Sequence, residues 1–198
     1  MTRIAVLVSG GGTNLQALID ARDRGELCGG ELSLVISTKA GVQALERARI
    51  AGIKTKIIER KKHNDKNAYD LAFASALSEE KIDLVVLAGF LSILGQETLK
   101  SFENRIINVH PALIPSFCGK GFYGLRVHEA VLEYGVKITG ATVHFVTDIV
   151  DGGKIILQKA VDVLPGDTPE TLQQRVMREA EWVILPKAVA MFCKGEIK

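Results

Sequence analysis

Ile4-Ala5-Val6-Leu7-Val8-Ser9-Gly10-Gly11-Gly12-Thr13-Asn14-Leu15 is the stretch whose reading decides the fold. Its first five residues are continuously apolar, the pattern of a strand buried on both faces of a parallel sheet. Leu15, Leu18 and Ile19 then fall on one face of a helix. Between them the glycines let the backbone turn sharply and approach a ligand, which makes Gly11 and Gly12 candidate contacts. The next helix offers unpaired N–H groups and the positive end of its dipole, which favour an anion such as phosphate. Thr13 and Asn14 add side-chain hydrogen bonds. No Gly-Lys-Ser/Thr follows, so this is not a P-loop. Asn14-Leu15 stand where the third glycine of GxGxxG would be, so a dinucleotide is disfavoured too. The pattern also fits a purely structural turn.

Outward from that turn, strands are expected near Leu32–Ser37, Lys54–Ile58, Leu84–Ala88 and Arg105–Val109, with helices between them. Tyr69, Phe73, Ala76 and Leu77 carry the apolar stripe of one such helix. The alternation argues for a parallel α/β sheet. The second half differs. Val127–Tyr134 reads as a helix. Thr139–Val146 and Lys154–Val163 read as strands, and the Asp- and Gly-rich residues between them favour antiparallel pairing. In Thr139–Val146, Ala141, Val143 and Phe145 share one face and Thr142, His144 and Val146 the other. Thr168 caps a last helix with Pro169 at its first position. Pro186 cannot donate to the Trp182 carbonyl, which predicts a kink there. The expected fold is α/β: a Rossmann-like, mainly parallel twisted sheet with flanking helices and an antiparallel C-terminal strand pair, in one domain over residues 1–198.

Asn108-Val109-His110-Pro111 follows the fifth strand, at the end where open α/β sheets bind ligands. Alternation puts Asn108 and His110 on one side, and Pro111 holds His110 extended. An amide donor beside an imidazole suits acyl transfer to an amine: the donor stabilises charge on oxygen and the imidazole moves a proton. A hydrogen-bonded core histidine fits the motif equally well. Asp148 and Asp151 lie in Thr147-Asp148-Ile149-Val150-Asp151-Gly152-Gly153. A carboxylate here either orients His110 or serves as a turn former. His128 reads as a cap or surface residue, and His144 as packed or hydrogen-bonded.

Composition is ordinary for a globular chain: 198 residues, 47% hydrophobic, 24% charged, net charge +2. Arg60-Lys61-Lys62 is the only basic run and reads as a solvated turn. No nucleic-acid partner is expected, and no run approaches the length of a membrane span. The apolar run at Ile4–Val8 is too short for a signal peptide. Cys28, Cys118 and Cys193 read as free thiols in a reducing cytoplasm. The four histidines lack metal-ligand spacing, so no metal is expected.

At Ser9–Leu15, Leu87–Phe90, Asn108–Pro115 and His144–Gly153 the chain resembles the phosphoribosylglycinamide formyltransferases of the formyltransferase superfamily, and the resemblance runs through the whole chain. It implies transfer of a formyl group from 10-formyltetrahydrofolate, a co-substrate, to the amine of glycinamide ribonucleotide in purine biosynthesis. It implies a catalytic trio of Asn108, His110 and Asp151, and substrate contacts at Gly12, Thr13, Asn14 and Glu181. It also implies a folate site at Lys66, Leu91, Ser92, Ile93, Leu94 and the loop Thr147, Asp148, Ile149, Val150 and Asp151. Residues 1–100 then form the phosphate-binding half and 101–198 the catalytic, folate-binding half of a monomer or homodimer. Ser92 stands where many members have Arg. Cys118–Gly124 enlarges a loop that is shorter in some members, and its glycines suggest a mobile cover. Methionyl-tRNA formyltransferase and formyltetrahydrofolate deformylase share the motifs but carry an extra domain that this chain is expected to lack. A non-catalytic binding module would have no need of the trio.

Overall fold

In the computed structural model, which describes residues 1–198, the glycine turn joins strand β1 (Thr2–Val8) to helix α1 (Thr13–Asp23). There follow β2 (Gly30–Ser37), α2 (Gln43–Ile50), β3 (Lys54–Ile57), α3 (Lys66–Glu79), β4 (Leu84–Leu87), α4 (Gln96–Ser101) and β5 (Ile106–His110). The chain then forms α5 (Leu125–Tyr134), β6 (Ile138–Phe145), β7 (Ile155–Asp162), α6 (Pro169–Val176) and α7 (Trp182–Cys193). Arg60–Lys62 is a single 3₁₀ turn, as its charge run predicts for a solvated bend.

All seven strands make one sheet in the order β3-β2-β1-β4-β5-β6-β7. The first five are parallel; β6 runs antiparallel to both β5 and β7. The expected β6–β7 pair is therefore present, and β5–β6 is a second antiparallel pair. β1 sits where the order reverses, with β2 on one side and β4 on the other. Crevices at such a switch point are where open α/β sheets hold ligands.

Alternation along each central strand feeds two cores. Ile4, Val6 and Val8 enter a 30-residue cluster, while Ala5 and Leu7 enter a 15-residue cluster on the other face. Ile107 and Val109 belong to the larger cluster and Ile106 to the smaller. Asn108 and His110 share the parity of Ile106, so they emerge on the face of the smaller core. On β6, Ala141, Val143 and Phe145 enter the larger core. Thr142 and His144 therefore point to the same face as Asn108 and His110. The smaller core stops at β5, and beyond it the chain leaving β5 crosses that face. Thr142 Oγ1 donates to the Ala112 carbonyl at 2.7 Å and accepts from the Ile114 amide at 3.1 Å.

Thr168 caps α6 through a reciprocal pair with Thr171, at 3.3 and 2.9 Å. A π turn spans Met177–Glu181, in which the Trp182 N–H bonds the Met177 carbonyl. Pro186 lies one turn further on, inside α7. No helix is long and apolar enough to cross a membrane.

Candidate active site

The glycine turn is held from behind. The Ala44 amide donates to the Gly10 carbonyl at 3.2 Å, and Arg47 Nε donates to the Gly11 carbonyl at 3.0 Å. With its carbonyls tied to α2, the turn leaves its amides for the crevice. No side chain caps α1, and its first turn has no acidic residue. This is the arrangement that receives an anion. Ser9 joins the strand ends: its Oγ accepts from the Leu91 amide and the Thr38 hydroxyl, each at 3.0 Å. Gly12 has a packing reason of its own. Its φ is +73°, and a Cβ there would lie 2.6 Å from Ala44 Cβ, so packing against α2 demands glycine. Around Gly10 the space is open, and a Cβ at Gly11 would meet only the end of the Gln43 side chain, at 4.0 Å.

Asn14, buried in the first turn of α1, donates through Nδ2 to Glu181 Oε2 at 2.6 Å. The π turn delivers Glu181 to this point, and such turns recur at functional sites. Burial pushes the Glu181 carboxyl up to about 7, against the opposing pull of the Asn14 amide. The group is thus balanced between acid and anion near neutral pH. Asn14 Oδ1 has no protein partner.

At the end of β5 a second cluster forms. Asn108 faces His144 across the β5–β6 ladder, with Nδ2 3.1 Å from His144 Nε2. His144 Nδ1 lies 2.8 Å from the Phe145 carbonyl, and His110 Nε2 lies 2.8 Å from the Phe117 carbonyl. A carbonyl only accepts, so each of these nitrogens carries the proton. The remaining nitrogens, His110 Nδ1 and His144 Nε2, both stand 3.7 Å from the Asp151 carboxylate. His144 Nε2 already accepts from the Asn108 amide, so His110 Nδ1 is the nitrogen left free to take up a proton, and an anion faces it.

Burial holds the His110 imidazole below its ordinary value, while the Phe117 carbonyl and Asp151 pull the other way. Burial would raise the Asp151 carboxyl, but His144, the Gly119 amide and the charge of His110 outweigh it and hold it low. Asp151 therefore stays an anion beside a neutral histidine that it can stabilise once protonated. Its φ of +55° also makes it a turn former, so the two readings left open by the sequence describe one residue. Behind it, a side chain at Gly153 would collide with the Phe145 carbonyl, which keeps the turn against β6.

The other expected residues fall into two groups. Leu91 and Ile93 after β4, and Ile149 and Val150 after β6, are exposed apolar side chains. Asp148 and Thr147 are exposed beside them, with Thr147 Oγ1 accepting from the Ile149 amide at 3.3 Å. Lys66 is exposed at the start of α3. Ser92 accepts from the Tyr69 hydroxyl at 3.3 Å. Leu94 instead packs in the smaller core and supports its loop from beneath.

Three participants escape the sequence reading. His144 joins the cluster because β6 pairs with β5; its alternation with Thr142 was visible, but the pairing was not. Phe117 and Gly119 act through backbone atoms, which leave no side-chain signal. The Gly119 amide donates to Asp151 Oδ2 at 2.8 Å, so the enlarged loop is bonded to the site and is more than a cover. His128 is a correction. It is neither cap nor surface: it is fully buried, both ring nitrogens lack partners, and burial together with His110 pushes its imidazole down to about 4. Cys118 is no activated nucleophile, since burial and Asp151 both push its thiol up.

Residues 2–189 match the family model described as formyl transferase. The trifunctional purine biosynthetic protein adenosine-3 of Gallus gallus is 44% identical over 196 residues, which is 99% of this chain. The chain spans only 19% of that relative's length. Phosphoribosylglycinamide formyltransferase of Haemophilus influenzae is 38% identical, over 100% of this chain and 90% of its own. Among solved structures, glycinamide ribonucleotide transformylase 1 from Symbiobacterium toebii superposes with a TM-score of 0.92 and 45% identity. That match covers 98% of this chain and 89% of the other.

Proposed function

The chain belongs to the formyl transferase family, and from that premise we propose that it moves a formyl group from 10-formyltetrahydrofolate to the amine of glycinamide ribonucleotide in purine biosynthesis. One observation carries the reading: Asp151 faces the proton-accepting nitrogen of His110, with Asn108 on the same face of β5. The glycine turn and this cluster end β1 and β5, which are separated only by β4. Two strand spacings put them roughly 10 Å apart. One phosphate-bearing amine can reach both.

The chemistry follows from the positions. The amine attacks the formyl carbon and a new C–N bond forms. Charge gathers on the formyl oxygen, where the second Nδ2 hydrogen of Asn108 stabilises it. The amine proton passes to His110 Nδ1, and the resulting imidazolium faces Asp151. The tetrahedral intermediate then loses its bond to N10 of the folate, which takes the proton back and leaves as tetrahydrofolate. Gly11, Gly12, Thr13 and Asn14 receive the phosphate, and Glu181 contacts the substrate beside Asn14. Leu91, Ser92, Ile93 and Leu94, the loop Thr147–Asp151 and Lys66 receive the folate. In this reading residues 1–100 supply the phosphate-binding half and 101–198 the catalytic half of one cytoplasmic domain.

The test is formyl transfer from 10-formyltetrahydrofolate to glycinamide ribonucleotide, with water and methionyl-tRNA as competing acceptors. Transfer to the ribonucleotide is expected. Turnover with water or tRNA alone would overturn the proposal.

A further inference from the structure

Three aromatic rings hold the segment that touches both His110 and Asp151. The Phe117 ring meets Phe122 edge-on at 6.5 Å and Tyr134 edge-on at 6.0 Å. Such pairs prefer an edge-to-face arrangement and fix each other's orientation. Phe117 is half-buried against the larger core. Its backbone φ is +49°, a conformation that a bulky residue keeps only when its surroundings enforce it. Tyr134 is the last residue of α5 and is 80% exposed. Val127 and Val131 of that helix are fully buried, so Tyr134 projects from a rigid support. The same short segment supplies the Phe117 carbonyl to His110 Nε2 and the Gly119 amide to Asp151 Oδ2.

We propose that Phe117, Phe122 and Tyr134 form a clamp that sets the tautomer of His110. The rings keep the Phe117 carbonyl at the Nε2 proton, so the lone pair remains on Nδ1, opposite Asp151. Without the clamp the imidazole is free to place its proton on Nδ1 instead. That tautomer already donates to Asp151 and has no site there for the amine proton. None of the three rings carries a reacting atom; they are positioning residues. The inference rests on the formyl-transfer reading for its effect on rate, but its effect on His110 is independent of that reading.

The test uses the full chain with ¹⁵N-labelled histidine, as wild type, Tyr134→Ala, Tyr134→Phe and Phe122→Leu. Wild-type His110 is expected as the Nε2–H tautomer. Tyr134→Ala is expected to give a mixture of tautomers. Its kcat should fall roughly 10-fold with both KM values within about twofold, since misplacement of a catalytic group costs turnover. The acid limb of its pH–rate profile should move as well. Phe122→Leu should act in the same direction, and Tyr134→Phe, which keeps the ring, should restore wild-type behaviour. An unchanged His110 tautomer in both Tyr134→Ala and Phe122→Leu overturns the clamp, whatever their stability. So does a raised KM with an unchanged tautomer, which would make the segment a substrate contact. If the tautomer shifts as expected but the wild type transfers formyl to no amine, the clamp stands and the functional reading fails.

Discussion

Asp151 is the residue on which the chemistry depends most, and Asp151→Asn isolates its charge. The amide keeps the size and tolerates the positive φ, but it no longer offers an anion to His110 Nδ1 at 3.7 Å. The variant is expected to fold normally, bind both substrates, and lose at least about 10²-fold in kcat. Asp148→Asn, on an exposed neighbour without a side-chain partner, is the control and should lose little. Steady-state kinetics alongside thermal melting decide the matter: near-wild-type turnover in Asp151→Asn would return this residue to a turn former. His110→Ala should cost roughly 10²- to 10⁴-fold in turnover with its fold intact. At this scale the sequence was informative where chemistry resides in side chains of a local motif; His144, brought in by strand pairing, was not among them. Motif and spacing made Asn108, His110 and Asp151 candidates, and the family resemblance grouped them as a trio. Phe117 and Gly119 could not be named, because an oxygen or an amide of the backbone belongs to every residue alike.

At the scale of elements, the glycine turn works only with α2 behind it. Arg47 and Ala44 take the carbonyls of Gly11 and Gly10, so the cradle is shared between two helices. Arg47→Gln is therefore expected to raise the KM for the ribonucleotide several-fold with kcat and folate KM nearly unchanged, as befits loss of uniform binding. Equal increases in both KM values would argue against it. Gly12→Val should behave differently: with φ at +73° and Ala44 Cβ 2.6 Å from the new Cβ, it should cost stability of at least about 2 kcal/mol, read by denaturant unfolding. Strands and helices were legible because apolar periodicity records burial. The β5–β6 pairing was not, because those strands are separated by a long connection with α5 in it. Nor was the π turn before α7: Pro186 lies inside that helix, and its missing donor concerns Trp182, downstream of the turn.

Across the whole molecule, two buried titratable groups oppose each other. His128 has its folded value at about 4 against an ordinary 6.5, so unfolding takes up a proton between those limits. Its stabilising effect is complete above about 6.5 and is lost as pH falls toward 4. Glu181 has the reverse shift, from 4.5 to about 7. Its contribution is complete below about 4.5 and is lost as pH rises through 7. Each amounts to on the order of 3 kcal/mol, so they nearly cancel where the windows overlap. Removing one should expose the other. His128→Leu should make the protein more stable at pH 5 than at pH 7.5 relative to wild type, and Glu181→Gln the opposite, measured as the change in melting temperature over that range. Parallel slopes in the two variants would show that these groups do not govern the pH response.

The π turn at Met177–Glu181 has one more consequence. Closing a ring at i→i+5 rather than i→i+4 accommodates one residue beyond an even helical repeat. Relative to an uninterrupted helix, it changes the phase between α6 and α7 by about 100°. That offset lets Leu172 and Val176 on one side, and Leu185, Ala188 and Val189 on the other, reach the same core. The segment therefore counts residues more strictly than it chooses them. Exposed Arg178 and Glu179 should accept substitution freely, whereas deletion of either should rotate α6 out of register with its core and draw Glu181 away from Asn14.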